Sequence, residues 1–273
     1  MQVPESAEPP ERGLFYRFRV AFLLIVLAGV LLYAWKDIHR RRLRTEWKRP
    51  LRVAFVVVRD GPVTAEAIAE LGARVPALTA RLGEEMERYR SVVQRPFEIT
   101  LFGPVDGAGP PPEPPADEGL VTSARYQWKV DRWIARVDAS GGFVTKGFDT
   151  RIYLHARPPL TAERKQIEGT SEQGGRTGVV SVELDASMAD FTLFVATHEL
   201  FHTLGASDKY ALDGSVLEPD GLAEPDRSPR YPQRFAEVMA RHRPLSATRS
   251  SPPSSLAELA VGATTAAEIG WRK

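Results

Sequence analysis

Cysteine is absent from all 273 residues. That excludes disulfides and thiolate metal sites, so any metal must be held by histidine, carboxylate or water. It does not fix a compartment. Charge of one sign is missing too. Lys and Arg total 36, Asp and Glu 35, so no global bias points to nucleic acid. No internal repeat is visible, and 43% of residues are hydrophobic, enough for one domain with a substantial core plus appendages.

One segment stands outside the soluble pattern. "VAFLLIVLAGVLLYAW", residues 20–35, carries no charge. As a helix it rises about 24 Å, a little short of the ~30 Å hydrocarbon core. Leu14, Phe15, Tyr16 and Phe18 extend it if Arg17 and Arg19 snorkel. Tyr33 and Trp35 sit where an interfacial belt would lie. The rivals are a cleaved signal peptide and a buried core helix. The first is disfavoured because no small-x-small site follows, the second because "KDIHRRRLR" does. The reading is a single-pass anchor over 14–35. It follows a disordered Pro- and Glu-rich segment at 1–13 and precedes a basic juxtamembrane segment at 36–49. Positive charge is heavier after the span than before it, which suggests a cytoplasmic C-terminal domain. The basic run also suits anionic lipid.

Residues 50–273 read as one domain. "LRVAFVVVR" (51–59) is a buried strand. A long helical pattern follows, with Thr64 able to cap it and Pro76 expected to kink or divide it. A second strand spans 97–105. The segment 104–119, with six prolines, reads as a solvated loop, or else a linker between domains. Residues 120–139 form an amphipathic helix with Tyr126, Val130, Trp133, Ile134 and Val137 on one face. Trp128 and Trp133 are both expected in the core. A strand covers 148–158, a polar loop 161–177, and an edge strand 178–185. A helix then starts near Ser187 or Asp190, and a capped helix closes the chain. The order predicts an α/β fold with a mixed sheet and the chemistry after the last strand.

The chemistry is in "ATHELFHTLGASDKY", 196–210. On a helix, residues four apart share a face, so His198 and His202 can point at one metal. Glu199, one residue round, can reach a water there without being a close ligand. Zinc with an open position acidifies water, and Glu199 would take that proton and deliver it to a leaving amine. Gly205 suits the left-handed cap that ends a helix abruptly. The chain can then bend back and bring Asp208 as third ligand. Asp213, Glu218 and His242 are the other candidates for that place, and a turn role for Asp208 stays open.

This H-E-x-x-H-x-x-G-x-x-D pattern resembles the metzincin clan of zinc metallopeptidases. The third ligand there is usually histidine. The Asp variant, with tyrosine two residues on as in Asp208 and Tyr210, looks most like the snapalysin type. The resemblance implies a mixed twisted sheet whose edge strand binds extended peptide, with "GRTGVVSVEL" in the place for it. It also implies a methionine turn beneath the metal, for which Met239 in "FAEVMA" is the candidate, with ordinary core packing as the alternative. Tyr210 is a candidate for oxyanion stabilisation, or packing. His155, at a strand end, is read as structural.

The functional expectation is a membrane-anchored zinc metalloendopeptidase acting on peptide or protein substrates, with Glu199 as general base. The alternatives are a non-catalytic metal-binding or scaffold protein on the same fold, and a metal-dependent hydrolase of other amides. No segment carries a metal-blocking cysteine.

Overall fold

The computed structural model describes residues 13–115, 119–159, 167–171, 174–211 and 213–272. The expected disordered N-terminus, Gly13 excepted, lies outside them, as do residues 116–118 of the Pro-rich loop. The chain divides into two units, Met1–Leu43 and Arg44–Lys273.

The first unit contributes most of helix α1 (Leu14–Thr45). Its stretch Leu14–Lys36 has a mean hydropathy of 2.2 and none of it is buried. At 1.5 Å per residue this is about 35 Å, long and apolar enough to cross a bilayer. The last two residues of α1, Arg44 and Thr45, belong to the second unit. So does Trp47, which is fully buried and donates from Nε1 to Ile269 O at 2.7 Å. The folded domain thus begins at Arg44, not at residue 50, and the basic segment 36–49 is not wholly a solvated collar.

The second unit is built on a five-stranded sheet. Its strands are β1 (Leu51–Arg59), β2 (Phe97–Asp106), β3 (Thr150–Arg157), β4 (Ile167–Ser171) and β5 (Thr177–Glu183). The order is β2-β1-β3-β5-β4. The first four are mutually parallel and β4 runs antiparallel to β5. In β1, Val53, Phe55 and Val57 enter one hydrophobic cluster while Ala54, Val56 and Val58 enter another. That alternation requires cover on both faces, as parallel sheets generally need. Helix α2 (Ala65–Glu87) and helix α4 (Ala189–Leu204) cover one face, and α3 (Leu120–Gly141) the other.

Thr64 caps α2, accepting from Ala67 N at 3.2 Å, and Pro76 sits inside that helix without dividing it. Trp133 is fully buried, but Trp128 is 56% exposed with the Arg132 guanidinium 4.9 Å over its ring, which corrects its expected place in the core. Trp128 lies off the apolar stripe of α3 that Val130, Ile134 and Val137 define, so its ring shields a cation stem instead of packing inward.

Two further expectations are corrected. The polar stretch 161–177 contains a strand, β4. As the outermost strand it pairs on one side only, so it does not need the apolar, two-sided pattern of a core strand. In consequence β5 is not the edge strand. It is paired by β3 and β4, and the segment 178–185 is closed to an added peptide. The chain closes with a helix as expected, though a short one. After α4 the chain forms short pairings, β6 (Ala236–Glu237) with β9 (Leu259–Ala260) and β7 (Arg243–Pro244) with β8 (Ser250–Ser251). Gly262 then precedes a six-residue α5 (Ala263–Glu268).

Candidate metal centre

Helix α4 is apolar on almost every side, and nearly all of it is buried between the sheet and the C-terminal loops. Two of its three buried hydroxyls are settled locally: Thr197 Oγ1 donates to Leu193 O and Thr203 Oγ1 to Leu200 O, while Thr192 Oγ1 is buried with no partner. His198 and Glu199 are the fully buried ionisable groups of this helix, at 1% and 2% exposure, and a core tolerates such groups only with partners.

The helix ends at Gly205, whose φ of 104° is left-handed. Its N–H bonds His202 O at 2.9 Å, and Ala206 N bonds Phe201 O at 3.1 Å. A residue with a Cβ would be strained here, so glycine allows the abrupt reversal. The reversal brings Ala206 O to 2.9 Å from His202 Nδ1. On the other side of α4, the turn 238–240 brings Val238 O to 3.0 Å from His198 Nδ1. A carbonyl can only accept, so in the neutral rings both Nδ1 atoms carry the proton and both Nε2 atoms present lone pairs.

Those two Nε2 atoms are 3.1 Å apart. Asp208 Oδ1 lies 3.2 Å from each of them. Three acceptors therefore face one another across about 3 Å, an arrangement that is repulsive unless something positive lies among them. The donor set is suited to a metal ion, and the three residues form a group able to hold one. The separations also suit the ion. Tetrahedral ligands about 2.0 Å from zinc are about 3.3 Å from each other. The Nδ1-to-carbonyl bonds are the outer-shell contacts that fix a metal-binding histidine's tautomer.

The electrostatics agree. Burial tends to lower the His202 pKa, but its pairing with Asp208 and the charge of Glu199 outweigh burial and raise it. Burial tends to raise Asp208, but its pairing with His198 and His202 holds it well below the usual carboxylate range. The first shift is the pull of two carboxylates on a histidine, and the second is the pull of the paired histidines on a carboxylate.

Glu199 turns away from the pair toward the sheet. Its Oε1 is 3.9 Å from His198 Nε2, and its Oε2 is buried with no hydrogen-bond partner. Two glycines make room for it. A Cβ on Gly178 of β5 would lie 3.3 Å from Glu199 Cβ, and a Cβ on Gly169 of β4 would overlap the carboxylate itself, 2.6 Å from Cδ. Gly169, Ser171, His198, Glu199, His202, Ser207, Asp208 and Tyr210 line one open cleft of about 480 Å³, a size common for ligand sites. Asp208, with a side chain 42% exposed, is the solvent side of it.

Tyr210 stacks on His198, with ring centroids 6.1 Å apart, and its phenol feels both Arg241 and Asp208. Burial, helped by Asp208, raises its pKa against the opposing influence of Arg241, so it stays a phenol. Met239 is fully buried beside Val238, and its carbonyl accepts from Lys209 N at 3.0 Å.

The structure thus brings together His198, Glu199, His202, Asp208 and Tyr210, with Gly205 and Met239 shaping the turns around them. It does not bring in the other candidate ligands. Glu218 pairs with Arg230, and Asp213 binds Ser215. His242 is outside the ligand group formed among the described residues. His155 lies on the opposite face of the sheet from α4, 3.2 Å from Asp60, and burial lowers its pKa. Gly169 and Ser171 escaped sequence reading because their strand did. No family model, curated protein or solved structure matches this chain.

Proposed function

We propose that this chain is a membrane-anchored zinc metallopeptidase of the metzincin type, with the Asp-ligand variant of its motif. The observation that carries this reading is the convergence of two histidine lone pairs and the Asp208 carboxylate beside a buried carboxylate oxygen with no partner. His198 Nε2, His202 Nε2 and Asp208 Oδ1 would hold the metal. When bound, zinc supplies Lewis acidity toward a carbonyl and lowers the pKa of water to about 7.

The chain's own residues supply the rest. Glu199, whose side chain lines the cleft, takes a proton from the attacking water and passes it to the leaving amine nitrogen. Its unpartnered buried oxygen, Oε2, supports turnover over a scaffold role, since a purely structural carboxylate would be left with an unmet acceptor. Tyr210, a phenol at the cleft, is placed to donate to a developing oxyanion. An extended substrate would pair with the outer edge of β4, where Gly169 and Ser171 line the cleft, and not with β5. The antiparallel outer strand, the glycine-ended motif helix and the buried Met239 turn support the metzincin comparison. The exposed apolar stretch Leu14–Lys36 supports a single-pass anchor.

The test is the full chain in detergent, assayed for zinc content and for cleavage of unfolded peptides, beside Glu199→Ala. Expected are about one zinc per chain in both, and hydrolysis in the parent alone. Equal hydrolysis by both proteins would overturn the mechanism.

A further inference from the structure

Asp208 has two neighbours that point the other way. Ser207 and Lys209 both turn inward to Glu268, the last residue of α5. Ser207 N donates to Glu268 Oε2 at 3.0 Å, and Ser207 Oγ donates to Oε1 at 2.8 Å. Lys209 Nζ donates to Ser207 Oγ at 2.7 Å and to the two Glu268 oxygens at 2.8 and 2.9 Å. Lys209 is only 4% exposed. Its backbone is held as well, with N bonded to Met239 O at 3.0 Å and O accepting from Leu217 N at 2.8 Å.

A serine oxygen 2.7 Å from a lysine invites a different reading, a nucleophile with its base. The donor count opposes it. Lys209 has three N–H groups and three acceptors, so no lone pair is left to take a proton.

We propose that Glu268 is a positioning residue for the metal site, a clamp that holds Ser207 and Lys209 so that Asp208 alone projects to the histidines. The clamp rests on the metal-centre reading but not on peptidase activity. Ser207 and Lys209 flank Asp208 directly in sequence, so holding both on one carboxylate fixes the backbone from which Asp208 projects. His198 and His202 are already oriented by carbonyls on a rigid helix. Asp208 follows a chain reversal and is the ligand that a flexible loop would lose. Glu268 is 60 residues from it in sequence and touches none of the three ligands in the contacts above, so it acts only through the strap.

The test is Co²⁺ and Zn²⁺ affinity of the full chain in detergent, measured as a double-mutant cycle of Glu268→Gln and Asp208→Ala, with apo unfolding midpoints alongside. Glu268→Gln should weaken metal binding about 10- to 100-fold, as outer-shell changes do. In the Asp208→Ala background it should have almost no further effect, because the ligand it aims is gone. Wild-type affinity in Glu268→Gln overturns the clamp, and so does a loss that adds in full to that of Asp208→Ala, which would mean a general structural role. If Glu268→Gln does not fold, Ser207→Ala and Lys209→Met enter the same cycle with the same two outcomes. A parent protein that binds no metal overturns the clamp and the metal centre together. One that binds metal yet cleaves nothing overturns only the peptidase reading.

Discussion

The Glu199 carboxylate lies directly against the α-carbon of Gly169, so close that a Cβ there would be 2.6 Å from Glu199 Cδ. Gly169 pairs with Val180 on β5, which places it on the sheet face toward α4. Its missing side chain is the notch in which the carboxylate lies. Gly169→Ala should therefore push Glu199 out of place while leaving both histidines and Asp208 untouched. On the proposed mechanism Glu199 is the general base, and a base displaced by about 1 Å can lose about 100-fold in rate. The expected outcome is at least that loss in kcat, with zinc content and affinity unchanged. An unaltered kcat would show that Glu199 does not depend on the notch.

Asp208 is the most exposed of the three proposed ligands, yet it closes the acceptor triangle. Asp208→Ala should cost more metal affinity than any outer-shell change, beyond the 10- to 100-fold typical of those. Metal removal should matter for stability as well, since it leaves three acceptors facing one another. A chelator is expected to lower the unfolding midpoint of the parent and to change that of Asp208→Ala much less. Thermal unfolding with and without chelator, at fixed pH, checks this.

The motif was legible because helical spacing alone puts His198 and His202 on one face, and glycine at 205 announces the reversal that follows. The parallel strands were legible because strands buried on both faces must be apolar throughout, as "VAFVVV" is. What was not legible has physical reasons too. Strand β4, "IEGTS", lies at an edge and carries a glycine whose purpose is set by Glu199, 30 residues away. The hydrogen-bonded clamp between Glu268 and the 207–209 strap has no local signature, because neither partner's neighbours predict the other. Trp47 was hidden by its context. It stands among Arg, Lys and Glu with no apolar pattern around it, yet it packs edge-on against Phe97 and Trp271.

That packing predicts where the domain can be cut. Arg44 Nη2 donates to Gly174 O at 2.8 Å and to Thr203 O at 3.1 Å, next to His202 on the motif helix. A cation there also offsets the negative end of the α4 dipole. A fragment beginning at Arg44 should fold and bind metal. One beginning at Lys48 removes Trp47 from the core, and losing a buried tryptophan side chain costs about 3–5 kcal/mol. The shorter fragment is expected to unfold at a clearly lower urea midpoint, or to aggregate. Equal midpoints for the two fragments would place the boundary later in the chain.

The last prediction concerns pH. Glu237 is fully buried, and burial pushes its carboxyl up to about 7, although N–H groups of Gly262, Met239 and Ala240 donate to it and pull the other way. The unfolded chain releases this proton near 4.5. Between those two values the folded state binds the more protons, so stability falls as pH rises. The contribution is fully present below about 4.5 and is gone above about 7, a loss of order 3 kcal/mol. Denaturant unfolding of the metal-free protein from pH 5 to 8 should show this decline. Glu237→Gln cannot titrate, so it should remove the decline while lowering stability at pH 5, because its amide must face one of those backbone donors with a donor of its own. The turn 238–240 carries the Val238 carbonyl that orients His198, so the same substitution should weaken metal binding. A parent protein whose stability is flat across this range would mean that the backbone donors hold Glu237 ionised despite its burial.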